Sequence, residues 1–118
     1  MEVRHSVMLG LLGRQADRFH TYTEAKSLSE RLDMLRDIPG CEGIEVVYPA
    51  DFRSPEEAAS QILASGWPVS AVNLNVKREA KWRNGSFTST DANIRADAVR
   101  DLKTTMDLAA ELGATMVT

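Results

Sequence analysis

The chain has 118 residues, 43% of them hydrophobic and 26% charged, the proportions of one globular domain or part of one. Its net charge of −3 gives no general pull toward nucleic acid or anionic lipid, and no run approaches the roughly 18 apolar residues of a membrane span. A single cysteine, Cys41, excludes an internal disulfide and fits a reducing, cytoplasmic setting; Glu2 and the lack of a small-residue cleavage pattern argue against a signal peptide.

Residues 3–12 predict a first strand. Val3, His5, Val7 and Leu9 alternate with Arg4, Ser6, Met8 and Gly10, so one face is bulky and the other small. A polar segment follows over residues 13–26. Ser27 and Glu30 then form a capping box, and Leu28, Leu32, Leu35 and Ile38 mark the buried stripe of a first helix that Pro39-Gly40 ends. Residues 40–52 organise the rest of the chain. Turn residues lead into the β-branched run Ile44, Val46, Val47, which closes on Tyr48-Pro49 as a buried strand of a parallel sheet. Glu45 sits inside that run, and a charge there needs a polar cavity or a partner.

Ser54, Pro55 and Glu57 offer a second helix start, with Ser54 as cap and Glu57 reaching back to it. That helix runs over residues 55–65, turns Ala58, Ala59 and Ile62 inward, and stops at Gly66. A third strand is predicted over residues 69–77, with Val72, Leu74 and Val76 opposite Ala71, Asn73, Asn75 and Lys77. A second long polar segment follows over residues 78–90. The third helix takes its cap from Thr88-x-x-Asp91, and Ile94, Ala98, Leu102, Met106, Ala109 and Leu112 step along its predicted inner face. Gly113 ends it, and residues 114–118 begin a fourth strand.

The order βαβαβαβ predicts parallel strands joined by crossovers. Helix-to-strand links are short, whereas two of the three strand-to-helix links are long and rich in aromatic and charged residues. In α/β folds the segments after the strands build the functional face. A closed (β/α)8 barrel needs roughly 250 residues, and this chain supplies about half. The expectation is half of such a barrel, read as a fragment or as a half completed by a partner chain.

Candidate site residues follow from that geometry. Asn73, Asn75 and Lys77 occupy alternate positions, so two carboxamides and an ammonium would face a hydroxyl-rich or anionic ligand, unless Asn75 and Lys77 lie past the strand end in solvent. Glu45 either contacts substrate or pairs with Arg4 or Lys77. Tyr48 would bring a phenol to the rim. His20 stands alone in the first long loop, without the partners of a triad. Arg78, Lys81 and Arg83 surround Trp82 in the second, a cluster suited to phosphate or to stacking on a sugar. No phosphate loop, G-x-G-x-x-G, C-x-x-C, H-E-x-x-H or G-x-S-x-G motif is present.

With GIEVVYP, VNLNVK, the turn Gly85-Ser86-Phe87-Thr88, Ile94-Arg95 and the segment from Leu108 in place, the chain resembles the N-terminal half of the xylose-isomerase-like TIM barrels. These form the sugar isomerase and epimerase group, related in fold to endonuclease IV. The resemblance implies a metal-assisted enzyme that moves a proton or hydride between adjacent carbons of a small sugar or polyol. It implies a divalent cation (Mn, Mg, Co or Zn) whose ligands come from later strands, beyond Thr118, so that the fragment alone would be inactive. It carries over Glu45, Tyr48, Asn73, Asn75, Lys77 and Trp82 as substrate-binding and assigns no catalytic residue. Expected partners are a small sugar or polyol and, as an open question, a second copy of the chain, with no nucleic acid and no membrane. The alternatives are a DNA-repair relative of endonuclease IV and a non-catalytic half-barrel that assembles with a partner chain.

Overall fold

The structure, a computed structural model, describes residues 2–118. Among them the chain forms a mixed α/β fold. Its elements are β1 (Ser6–Met8), β2 (Gln15–Ala16), β3 (Thr21–Thr23), α1 (Leu28–Met34), β4 (Gly43–Tyr48), α2 (Pro55–Ser65), β5 (Val69–Leu74) and α3 (Ala92–Glu111). β1, β4 and β5 make a parallel sheet in chain order, with Met8 beside Glu45 and Val47 beside Asn73. Residues 116–118 extend it on the far side of β5. Val117 bridges Val72 in parallel, and the Leu74 N–H donates to the Thr118 carbonyl at 2.8 Å.

The β-branched run of β4 puts Ile44 and Val46 on the same face as Val72 of β5, and all three are fully buried. Against them pack Leu32 and Leu35 from α1 and the 3-10 turn after it, Ala59 and Ile62 from α2, and Leu108 and Ala109 from α3. Burying each of the Leu, Ile and Val side chains among these stabilises the fold by about 1.5–3 kcal/mol. The opposite face carries Met8, Glu45, Val47 and Asn73, all partly open to solvent.

Local chemistry explains the element ends. The Ser27 side chain accepts from the Glu30 N–H at 3.1 Å and the Glu30 carboxylate accepts from the Ser27 N–H at 2.7 Å, so the predicted capping box is complete. Gly66 ends α2 at φ +77°, a left-handed conformation that a Cβ disfavours. Gly43 opens β4 where a Cβ would lie 2.9 Å from the Pro68 carbonyl oxygen, which accepts the neighbouring Ile44 N–H.

Five expectations are corrected. The first strand covers only Ser6–Met8, because its partner β4 begins at Gly43, opposite Ser6; before it His5 accepts one further hydrogen bond, from the Glu42 N–H at 2.9 Å, and its own N–H turns to the Glu42 side chain. After Met8 the chain turns as a 3-10 segment, Leu9–Leu12, which carries Leu9 to full burial. The polar stretch after it holds a small antiparallel hairpin of β2 and β3. The third strand stops at Leu74, because β4 ends with Tyr48-Pro49 and the Asn75 N–H takes the last rung on the Tyr48 carbonyl. The Ser54 hydroxyl makes no capping hydrogen bond, and the start of α2 relies on Pro55 with Glu56 and Glu57 in the first turn. Finally, the buried stripe of α3 is Ala98, Asp101, Thr105, Leu108, Ala109 and Leu112, while Met106 is 55% exposed. No helix among the described residues is long and apolar enough to cross a membrane.

Candidate functional site

The segments that follow β1, β4 and β5 surround a cleft of about 630 Å³, within the size range of small-molecule sites. Its floor is Met8, Val47 and Asn73 from the open face of the sheet, and Pro49 and Asn75 form its strand-end rim. A second cavity of about 510 Å³ shares Lys26, Arg31, Asp51 and Arg53 with the first and runs along α2 to Glu57 and Gln61.

The wall between the two is built on one buried ion pair. Asp51 lies in the turn after β4, where its N–H donates to the Val47 carbonyl at 2.8 Å. One carboxylate oxygen accepts from the Val47 N–H at 2.8 Å, and the other accepts from Arg31 Nη1 at 2.6 Å. Both side chains are nearly closed to water. Arg31 enters from α1, where its own Nε donates to the Ser27 carbonyl at 3.4 Å. The pair therefore ties the first turn of α1 to the exit of β4, and a buried charge pair with every oxygen engaged is the arrangement that offsets its desolvation.

The predicted site residues divide. Asn73, Asn75 and Lys77 all line the cleft. Asn75 lies beyond the strand and its carboxamide oxygen accepts the N–H groups of Lys77 (3.2 Å) and Arg78 (3.0 Å), which shapes the loop. That leaves its amide nitrogen for a ligand. Glu45 stands on the same sheet face as Asn73 but deeper. Asn73 Nδ2 donates to Thr118 Oγ1 at 3.0 Å, and Thr118 Oγ1 reaches Glu45 Oε1 at 3.5 Å, giving a polar row across three strands. Among the described residues Glu45 has no ion-pair partner, Arg4 being spent on Glu2.

Tyr48 and Trp82 lie elsewhere. By strand alternation Tyr48 follows Ile44 and Val46 to the helix side, where it packs on the core with its ring 6.3 Å from Phe52. Burial pushes its phenol above the usual value, and the Asp101 carboxylate adds to the shift. Trp82 is buried in a 3-10 turn, Ala80–Trp82, with Lys81 Nζ 4.4 Å from its ring centroid and its indole N–H without a partner. Lys81 turns from the cleft to Glu79 and Asp101, so the basic cluster read around Trp82 is split. His20 is exposed at the β2–β3 hairpin, 3.7 Å from Asp17.

Arg14, Lys26, Arg31, Asp51 and Arg53 also line the cleft and are not among the site residues inferred from the sequence. Arg31 did leave a signal. It falls in phase with Leu28 and Leu35 on the stripe of α1, where a cation must find a buried partner. Arg14, Lys26 and Arg53 sit in loops whose convergence only tertiary structure reveals.

Among the described residues no three His, Cys, Asp or Glu side chains come together to hold an ion. Compared with known proteins, the chain matches no family model and no curated protein.

Proposed function

We propose that this chain supplies part of the substrate wall of a sugar isomerase or epimerase built on a (β/α)8 barrel. The observation that carries the proposal is the sheet order. Strands follow one another in chain order, β1, β4, β5 and then residues 116–118, all parallel, with α1, α2 and α3 contributing to one core on a single face. Doubly wound sheets reverse their strand order and carry helices on both faces, whereas a barrel keeps chain order and puts its helices outside. The open face then becomes the interior, and the cleft lies at the C-terminal ends of the strands, where barrel enzymes bind substrate.

The side chains suit a polyol. The carboxamide oxygen of Asn73 can accept from a hydroxyl and the amide nitrogen of Asn75 can donate to one, and Val47 and Met8 give an apolar floor for the carbon chain. Glu45, oriented through Thr118, is a carboxylate acceptor one layer below. These groups bind and orient; no base is assigned among them.

The test uses the intact protein that contains this sequence, incubated with a panel of aldoses and ketoses in D2O and followed by proton NMR. Interconversion of at least one pair is expected, with activity reduced at least tenfold by Asn73→Ala. Deuterium in the product would mark proton transfer and its absence a hydride shift. No interconversion of any sugar, with or without added Mn, Mg, Co or Zn ions, would overturn the proposal.

A further inference from the structure

We infer that the cleft takes a ligand bearing an oxyanion, a phosphoryl or carboxylate group, held by the cations of its rim. The inference rests on the reading of this cleft as a polyol site and adds to it the charge of the ligand.

It begins from an imbalance. The whole chain has more acids than bases, 17 against 14, yet the cleft is lined by Arg14, Lys26, Arg31, Arg53, Lys77 and Arg78 and by only one acid, Asp51. Asp51 is committed to Arg31. The remaining five cations have no ion-pair partner among the described residues. Arg14 makes one hydrogen bond to a neutral group, Nη2 to Thr21 Oγ1 at 3.2 Å, and the other four side chains make none. Outside the cleft Arg4, Arg36, Lys81 and Arg100 have a carboxylate partner, while Arg18, Arg83, Arg95 and Lys103 have none among the described residues, so the cleft is set apart by the convergence of its cations rather than by their lack of partners.

These five cations come from separate parts of the chain: Arg14 after β1, Lys26 before α1, Arg53 after β4, Lys77 and Arg78 after β5. Folding brings them around one concavity, so their fields add within it, and like charges gathered this way repel unless an anion enters. A guanidinium presents paired donors that match the oxygens of a phosphoryl or carboxylate group, and a neutral sugar gains little from them. Asn73 and Asn75 on the same cleft remain for hydroxyls. A half-open concavity of about 630 Å³ has the dimensions of a small molecule rather than of a duplex track.

The experiment is calorimetric titration of the intact protein, in phosphate-free buffer, with ribose, ribose 5-phosphate, ribonate, inorganic phosphate and a short DNA duplex. Ribose 5-phosphate is expected to bind at least tenfold more tightly than ribose in 50 mM NaCl, with the gap closing in 500 mM NaCl. A double variant, Arg53→Gln with Arg78→Gln, is expected to lose that preference while keeping the affinity for ribose. Both side chains are exposed, so the fold should survive, and circular dichroism checks it. Lys77→Gln serves as an independent second variant. Ribonate binding more tightly than ribose 5-phosphate would assign the group as carboxylate. Phosphate binding with no response to any sugar would keep the anion site and remove the polyol reading. Equal affinity for ribose and its phosphate, an undiminished preference in the double variant, or tighter binding of the DNA duplex would each overturn the inference.

Discussion

At the scale of single residues, Arg31 and Asp51 matter most, because they join the architecture to the cleft. Asp51 answers two needs at once, the Val47 N–H at the end of β4 and the guanidinium that α1 sends inward. Removing one member of such a pair leaves the other charged and dry, which costs about 3–5 kcal/mol, against the ~0–1 kcal/mol of a solvated surface pair. Asp51→Ala is therefore expected to lower unfolding stability by about 3–5 kcal/mol in urea titrations. The surface pair Arg36–Asp33, with both side chains well exposed, provides the control, and Asp33→Ala should change stability by under about 1 kcal/mol. A loss below about 1 kcal/mol for Asp51→Ala would mean that the ion pair does not hold α1 to β4. The double change Arg31→Met with Asp51→Leu should recover part of the loss, since the unpaired charge is then gone.

At the scale of elements, α3 shows what a hydrophobic pattern conveys and where it misleads. Counting only apolar residues places Leu102 and Met106 on the inner face, but the helix is rotated so that Asp101 and Thr105 lie inward. Each brings its own partner. Asp101 lies 3.8 Å from Lys81 Nζ, and the Thr105 hydroxyl donates to the Asp101 carbonyl at 2.7 Å. Leu108→Ala is accordingly expected to cost about 2–5 kcal/mol, and Met106→Ala no more than about 0.5 kcal/mol, measured by the same denaturation. Equal losses would restore the stripe read from apolar residues alone. The same physics accounts for what was legible elsewhere. The capping box at Ser27 and Glu30, the stop at Gly66 and the core of β4 depend on neighbours in sequence, and the structure has all three. The hairpin of β2 and β3, the end of β5 at Leu74 and the Arg31–Asp51 pair depend on partners 5 to 20 positions away or on another strand's end, which local pattern does not encode. Of the six site residues inferred, Asn73, Asn75 and Lys77 meet in the cleft, because they follow one strand to its end. Tyr48 departs because its strand parity sends it to the helix side.

At the scale of the molecule, stability is uneven, and the site lies on its boundary. The sheet centre is covered by helices on one face. Ile44, Val46 and Val72 are fully buried there, and β4 is hydrogen-bonded to a neighbour along both edges. The β2–β3 hairpin has two short strands, no third partner, and exposed Phe19 and Tyr22 near its turn. A two-stranded ribbon of that kind is marginal in water, so it opens without the rest of the fold opening. Amide hydrogen exchange followed by NMR is expected to give the N–H groups of Val46 and Val72 protection set by global unfolding, and those of Thr21, Tyr22 and Thr23 protection lower by at least a hundredfold. Because Arg14 and Gln15 border both the hairpin and the cleft, one wall of the site belongs to the weakly held part and the other, through Val47 and Asn73, to the sheet. An anion that bridges Arg14 to Lys77 would join the two, so saturating ribose 5-phosphate should slow exchange in the hairpin while leaving Val46 and Val72 changed only by the global stabilisation of a bound ligand. Hairpin amides as protected as those of β4 in the free protein would show that the molecule opens as a single unit and has no such boundary.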